Sequence, residues 1–323
     1  MIKLTLAAGL GNQMFEYAYA RALSEEFKDP NIVINQYYNR IWKLWSKIMK
    51  SDPSYVNFSL NKFVLNSNVR YAKPVTGFAG ASVDMFSGAL IRFGVVNPNT
   101  DAEKYRNLTE KGKFHFLDKA YTYYEHGECR KKNKSVYGWF FSEKYFSNIR
   151  PILLKEFQFK EGPLGKNKEM AEELSSCNSV CVHIRRGDIT NSRYSKTWTT
   201  PNEDYYKKGI AYISKHTENP AFYVFSNNHE DIEWIKHNYD FGVPVKYVDL
   251  NNPGIEDLRL MYYCKHFVIS KSAFSWWGSY MSQNDDKIII APVMKKDNWL
   301  KDANMEDWYR KDMIRFRSEA EGK

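Results

Sequence analysis

An α/β fold with a doubly wound parallel sheet is predicted for the C-terminal half of the chain. Three observations predict it. Apolar, β-branched runs of three to five residues recur there: Val180–Ile184, Phe222–Phe225, Val245–Val248, Phe267–Ile269 and Lys287–Ile290. Helical patterns alternate with them, at Lys168–Leu174, Asp204–Lys215, Glu230–His237, Ile255–Cys264 and Ser275–Met281. Polar residues gather where three of the runs end, and in an open α/β sheet ligands bind outside the carboxyl ends of the strands.

The N-terminus reads as a strand over Ile2–Leu6, a turn at Ala8-Gly-Leu-Gly11-Asn12-Gln13, and a helix over Met14–Phe27 with its apolar residues on one face. The turn is no dinucleotide fingerprint, because Met14 stands where a third glycine is needed. Its glycines let backbone approach a ligand, though a tight turn alone also explains them. Residues 36–135 read as loops and short helices with scattered tyrosines. Within them, Arg40–Lys50 is a basic, aromatic, amphipathic segment. It reads as a helix resting on an anionic membrane surface, or, by preference, as a surface helix packed on its own domain. A helix is expected over Phe146–Phe159, and the breaker-rich Lys160–Asn167 is the candidate linker. This places one domain at residues 1–160 and a second at 161–323.

Composition limits the function. The 323-residue chain is 43% hydrophobic and 16% aromatic, so it can fill two cores. Its net charge of +9 suits anionic partners. No zinc-finger, RNA-binding or basic-zipper pattern occurs, so nucleic acid is not expected as a partner. Cys129, Cys177, Cys181 and Cys264 form no Cys-x-x-Cys and read as reduced thiols. No run approaches the ~20 apolar residues of a membrane span. The first residues do not resemble a signal peptide. A cytoplasmic bacterial protein is expected, possible peripheral contact through 40–50 aside.

Three strand ends carry the chemistry. The first is His183-Ile-Arg185-Arg186-Gly-Asp188. Adjacent arginines at a strand end are costly without an anion, and guanidinium forks suit phosphate. An Arg–Asp salt bridge is the plainer alternative. The second is Ser226-Asn227-Asn228. The third is Ser270-Lys-Ser272-Ala-Phe274-Ser275, opening a helix whose free N–H groups and dipole favour phosphate. Each serine alone is explained by capping, but together with the arginines they point to a diphosphate site. Trp276 and Trp277 read as packing residues and His266 as structural. No Asp-x-Asp occurs in the chain, so no metal is expected, and arginine with a helix N-terminus would stabilise a departing diphosphate.

These residues resemble family 11 α-1,2-fucosyltransferases. Gly9-Leu-Gly-Asn-Gln-Met-Phe15 resembles the N-terminal signature of that family, and His183-Ile-Arg-Arg-Gly-Asp188 its His-x-Arg-Arg-x-Asp motif. Phe225-Ser-Asn-Asn, Asp257–His266 and Ser272-Ala-Phe-Ser-Trp-Trp-Gly278 are similar to further blocks, and Ala291-Pro292 ends the series. The resemblance implies a GT-B-like fold, with two Rossmann-like domains facing a cleft. It implies an inverting, metal-independent transfer of L-fucose from GDP-β-L-fucose to the 2-hydroxyl of a terminal β-galactoside, in a glycan or lipid-linked oligosaccharide. No cofactor is implied.

By that resemblance Arg185 pairs the β-phosphate, and Arg186 shares the role or braces the loop. Asp188 acts as general base or orients the acceptor hydroxyl. His183, Ser226, Asn227, Ser270, Ser272, Phe274 and Ser275 hold the donor. Gly11 and Asn12 face the fucose and acceptor. Glu16 joins them as an acid/base candidate if it lies in the cleft, a helix-surface carboxylate being the plainer reading. The chain departs from the family pattern at Ala8, Glu16, Ile189, Asn227-Asn228 and Ser270-Lys-Ser272. Other readings are transfer from a different GDP-sugar, another fucosyl linkage, or a non-catalytic glycan- or anion-binding protein.

Overall fold

A computed structural model of the chain describes residues 1–48, 57–92, 101–116, 121–187, 200–293 and 304–317. Two compact units form: Met1–Gln158 with Asn298–Arg310, and Phe159–Asp297 with Lys311–Lys323. The sequence pattern assigns all of 161–323 to one domain, but the segment around residues 304–308 returns to the first unit. It is held there by side chain–backbone bonds that have no sequence period. Tyr123 N donates to Asp307 Oδ2 (2.8 Å) and Asn304 N to Thr122 Oγ1 (2.8 Å), while Lys144 pairs with the Asp307 carboxylate.

The first unit runs β1 (Ile2–Thr5), α1 (Leu10–Glu26), β2 (Ile32–Asn35), α2 (Tyr37–Ile48), β3 (Val69–Tyr71), α3 (Pro74–Arg92), α4 (Ala102–Glu110), β4 (Lys113–Phe116), β5 (Lys134–Gly138) and α5 (Arg150–Glu156). Its strands lie in the order β3-β2-β1-β5-β4, every neighbouring pair parallel. Reading residues 36–135 as loops and short helices therefore missed three strands and a 19-residue helix. The strands have only three to five residues, too few for a period. Glycine and serine within α3 dilute its helical signal. The helix expected over Phe146–Phe159 is shorter, because two 3₁₀ turns lead into α5.

Helix α1 begins at Leu10, four residues before the expected start. Gly11 and Asn12 therefore lie in its first turn, and the chain reverses at Ala7-Ala8-Gly9. Ala8 takes a left-handed φ of 56° there. The helix is also not amphipathic: apart from Asn12 it is buried from Gly11 to Ser24. Several of its polar side chains are bonded internally, while Gln13 Oε1 is buried without a partner. Gln13 Nε2 donates to Ala8 O (2.9 Å) and Asn57 O (3.0 Å). Arg21 Nε donates to Glu156 Oε1 (2.8 Å), and Tyr17 OH to Glu156 Oε2 (2.6 Å), which ties α1 to α5.

The second unit runs α6 (Lys166–Ser176), β6 (Asn178–His183), α7 (Glu203–His216), β7 (Pro220–Phe225), α8 (His229–Asn238), β8 (Val245–Tyr247), α9 (Gly254–Tyr263), β9 (His266–Val268), α10 (Ala273–Met281), β10 (Ile289–Pro292) and β11 (Met313–Phe316). The alternation read from the sequence is present, with β11 added at the edge. Strand order is β11-β10-β9-β6-β7-β8, all parallel. Val180, Val182, Val224, Val268 and Ile290 form the sheet's apolar centre under Tyr205, Ile210 and Ile213 of α7. Trp276 and Trp277 are fully buried, as packing residues are. His266 Nδ1 accepts from Ile288 N (3.1 Å), a structural bond. The four cysteines are free. No helix among the described residues is long and apolar enough to cross a membrane.

Two parallel α/β units are what a GT-B-like fold is built from. In the first of them, the buried Arg21–Glu156 pair is expected to dominate the contact between α1 and α5. Glu156→Ala leaves Glu25 as the remaining ion-pair partner of Arg21 and removes the acceptor of Tyr17 OH; it should cost roughly 1.5–3 kcal/mol, read as a lower denaturation midpoint. A midpoint within error of the parent would show that the pair contributes little.

Candidate functional site

In the second sheet the chain steps outward from β6 to β7 and β8, then crosses back to β9, β10 and β11. The order therefore reverses between β6 and β9, and the connections leaving these two paired strands part to either side, where an open α/β sheet has its binding crevice. His183 is the last residue of β6 and Ser270 lies two residues past β9. Their side chains meet there, Nδ1 to Oγ, at 2.8 Å. His183 is almost fully buried. Burial, with the positive charge of nearby Arg185, lowers its pKa to about 3, so the imidazole is neutral. Phe274 packs over it with ring centroids 5.9 Å apart.

Beyond Ser270 the chain enters α10. Ser272 is the N-cap, its Oγ accepting from Phe274 N (3.2 Å). Ser275 is fully buried and its hydroxyl turns back toward Ser272 O (3.5 Å). Ser270 and Ser275 thus shape the loop from inside, while Phe274 is half-buried at its rim. Lys271, between the two loop serines, is also buried, with 8% of its surface exposed. In the sequence Lys271 stands out only as a departure from a family pattern, yet it adds a cation next to the helix N-terminus. Helix α9 also starts at this edge, where a Cβ on Gly254 would lie 3.8 Å from the Phe274 ring. Three residues on, Asp257 accepts from Asn252 Nδ2 (3.1 Å), and burial raises its pKa to about 7. Neither Lys271 nor Asp257 was picked out as a site residue, because only the folded loop brings them in.

The two arginines have different surroundings. Arg186 N donates to Asn227 Oδ1 (3.1 Å), its Nε lies 3.5 Å from Asp231 Oδ1, and its guanidinium sits 3.2 Å from the centroid of the Trp234 ring. Gly187 N donates to Asp231 Oδ2 (2.9 Å). Gly187 has φ of 40°, and a Cβ there would be 2.8 Å from Asn227 Nδ2, so glycine is required on both counts. Ser226 Oγ donates to Ile184 O (2.8 Å). Asn228 caps α8 by accepting from Asp231 N (2.8 Å). Ser226, Asn227 and Asn228 therefore brace the arginine loop. Arg186 braces it too, through Asp231 and Trp234. Arg185 is half-buried beside His183 at the crevice. Asp188 lies outside the described residues.

Gly11, Asn12 and Glu16 belong to the first unit. Gly11 is buried, and Asn12 is half-buried in the first turn of α1. Glu16 is not a helix-surface carboxylate. It is fully buried, and both carboxylate oxygens accept from Ala7 N (3.0 and 3.2 Å). Burial pushes its pKa well above the usual carboxyl range. It holds the β1–α1 turn.

Among the described residues, His229, Glu233 and Asp249 bring possible metal-ligand atoms within 4.8 Å of one another. His229 Nδ1 is 2.6 Å from Asp249 Oδ2, and this bond raises the histidine pKa.

Fold and site define a two-unit α/β protein whose second sheet directs arginine, a buried neutral histidine and a capped helix N-terminus to one crevice. The chain belongs to glycosyl transferase family 11, whose family pattern matches residues 95–316. It is a glycosyltransferase. The O-antigen biosynthesis glycosyltransferase WbnK of Escherichia coli is 28% identical over 300 residues, spanning 89% of this chain and 92% of that protein. An α-1,2-colitosyltransferase of E. coli is 30% identical over 303 residues, spanning 89% and 90%. A galactoside 2-α-L-fucosyltransferase of Caenorhabditis elegans is 31% identical over 182 residues, spanning 52% and 48%.

The neutral state of His183 has a pH signature. Folding lowers its pKa from about 6.5 to about 3, so between those values the unfolded chain binds a proton that the native state does not. Native stability is lost as pH falls through that window, by up to about 1.4 kcal/mol per pH unit. His183→Gln should remove that share. The decline in melting temperature from pH 6.5 to 4 would become shallower by one proton's worth, and an unchanged slope would count against a buried neutral imidazole.

Proposed function

We propose that the protein transfers L-fucose from GDP-β-L-fucose to the 2-hydroxyl of a terminal β-galactoside, with inversion and without a required metal. The observation that carries this reading is the crevice between β6 and β9, where Arg185 stands beside the His183–Ser270 bond. A neutral imidazole adds no competing charge. The Arg185 guanidinium is assigned to the β-phosphate, whose negative charge grows as the sugar departs. The N-terminus of α10, with Ser272 and Lys271, offers the second contact for the diphosphate. Arg186 acts by holding the loop. Asp188, two residues further, is assigned to orient the acceptor hydroxyl.

A second reading keeps the site and changes the sugar. It is favoured by the 30% identity to an α-1,2-colitosyltransferase over 89% of this chain. Transfer of a colitosyl group would use the same diphosphate contacts, so the donor is decided by turnover.

The test is GDP release from GDP-fucose in EDTA, with and without lactose. Lactose-stimulated release is expected, and Arg185→Ala should reduce kcat/KM by about 10²–10³-fold while the melting temperature holds. EDTA matters because His229, Glu233 and Asp249 form a potential metal-ligand set. Activity abolished by EDTA and restored by a divalent ion would refute metal independence. Normal turnover by Arg185→Ala would remove its assigned role.

A lipid-linked acceptor would bring the enzyme to a membrane face, and residues 37–92 suit one. They hold eight Lys or Arg and two Asp, a net +6 of the chain's +9. Leu44, Val75, Phe78, Val83 and Phe86 are exposed among them. Apolar side chains beside basic ones fit an anionic lipid surface. Arg40→Glu with Lys43→Glu should weaken co-sedimentation with phosphatidylglycerol vesicles by about fivefold or more per charge. Unchanged sedimentation would dismiss the membrane contact.

A further inference from the structure

The first sheet has its own reversal point, and its chemistry is opposite to that of the second. Strands β1, β2 and β3 step outward in order, then the chain returns on the far side of β1 with β4 and β5. The crevice expected at such a point lies outside the carboxyl ends of β1 and β5. Thr5 pairs with Asn35 of β2. On the other side Leu4 pairs with Val136, which sets Thr5 level with Tyr137, and Tyr137 pairs with His115 of β4. Side chains at one level of a parallel ladder share a face. Asn35, Thr5, Tyr137 and His115 therefore form one polar row across four strands at the carboxyl edge.

Helix α3 lies on that face. Its inner side carries Gly77, Ala81 and Asp84, spaced i, i+4, i+7. Asn35 Nδ2 donates to Gly77 O (3.0 Å), and Thr5 Oγ1 donates to Asp84 Oδ2 (2.6 Å). The approach of α3 is close, since a Cβ on Gly77 would sit 2.2 Å from the Tyr37 ring. Asp84 is half-buried and burial raises its pKa, with the Thr5 bond acting in the opposite sense. Its other oxygen, Oδ1, takes no hydrogen bond from any described residue. Tyr38 and Tyr137 pack with ring centroids 5.3 Å apart. Asp84 is near enough for its charge to raise the Tyr137 pKa. The His115 ring lies 4.9 Å from Tyr137, and its Nε2 is buried without a hydrogen-bond partner.

A clamped, half-buried carboxylate with one unbonded oxygen beside the half-buried Tyr38 ring does not suit an anion, which the carboxylate repels. This pairing suits a neutral polyol, whose hydroxyls donate to the carboxylate and whose C–H groups lie against the Tyr38 ring. We propose that the carboxyl edge of the first sheet is a saccharide subsite, in which Asp84, positioned by Thr5, accepts a hydrogen bond from a hydroxyl of the acceptor sugar. This inference rests on the glycosyl-transfer reading. It assigns acceptor binding to residues other than Glu16, whose oxygens are taken by Ala7 N.

A network that merely pinned α3 to the sheet would, when broken, lower stability and weaken every ligand alike. The test separates the two roles. Saturation-transfer NMR with lactose and methyl β-galactoside, and titration calorimetry with GDP, are run on the full chain and on Asp84→Asn and Arg185→Ala. Asp84→Asn keeps the size of the side chain and a partner for Thr5. It should weaken galactoside binding by about tenfold or more with GDP affinity and melting temperature unchanged, and Arg185→Ala should do the reverse. Galactoside affinity retained in Asp84→Asn overturns the subsite. So does a parent protein that binds GDP but no galactoside, or an Asp84→Asn protein that loses both ligands and melts early. A parent that binds galactoside but not GDP would instead overturn the donor reading, with the Asp84→Asn comparison still deciding the subsite.

Discussion

The hydrogen bond between His183 and Ser270 joins the ends of the two strands between which the second sheet reverses its order, and the placement of the cationic groups follows from it. Beyond the last paired residues of β6 and β9, side chains must be satisfied without a ladder. Here a buried imidazole and a buried hydroxyl satisfy each other. Because burial keeps the imidazole uncharged, it occupies the floor of the crevice without repelling the guanidinium above it. A charged residue at that position would either be expelled or would need an anion of its own.

The adjacent arginines divide the work between them. Successive residues leaving a strand point to different sides, so only one can stay at the crevice. Arg186 turns to Asp231 and the face of Trp234, and its backbone is fixed by Asn227. Gly187, in a left-handed conformation against Asn227, lets the chain turn away sharply enough to leave Arg185 beside His183. The second strand end supplies these braces, through Asn227 and Ser226.

The first unit follows the same topological logic with different chemistry. Its strand ends present an asparagine, a threonine, a tyrosine and a neutral imidazole with the α3 carboxylate beside them, where the second unit presents arginine, lysine and a helix N-terminus. One set favours neutral hydroxyl groups and the other favours phosphate. A reaction that moves a sugar from a diphosphate to a hydroxyl requires both kinds of surface. The small residues on the inner side of α3, Gly77 and Ala81, bring Asp84 within reach of Thr5.

Much of the second unit was legible in the sequence, because its strands are apolar runs separated by amphipathic helices, and such periods follow from local geometry alone. The residues at three strand ends could be picked out for the same reason. Their roles could not, since serine caps, loop braces and ligand contacts use the same side chains. The first unit was largely illegible. Short strands such as Val69–Tyr71 and Lys113–Phe116 carry no period, the glycines of α3 weaken its pattern, and α1 is buried almost all round. The sequence by itself determined the family, the parallel α/β architecture of the C-terminal half and the strand end that carries its charge, because these depend on neighbours along the chain. Only the tertiary structure decided that Glu16 is a buried turn clamp, that Arg186 braces while Arg185 stays at the crevice, that residues 304–308 return to the first unit, and that Asp84 meets Thr5. Each of these rests on partners distant in sequence, and the hydrogen bonds and burial that settle them exist only once the strands are aligned.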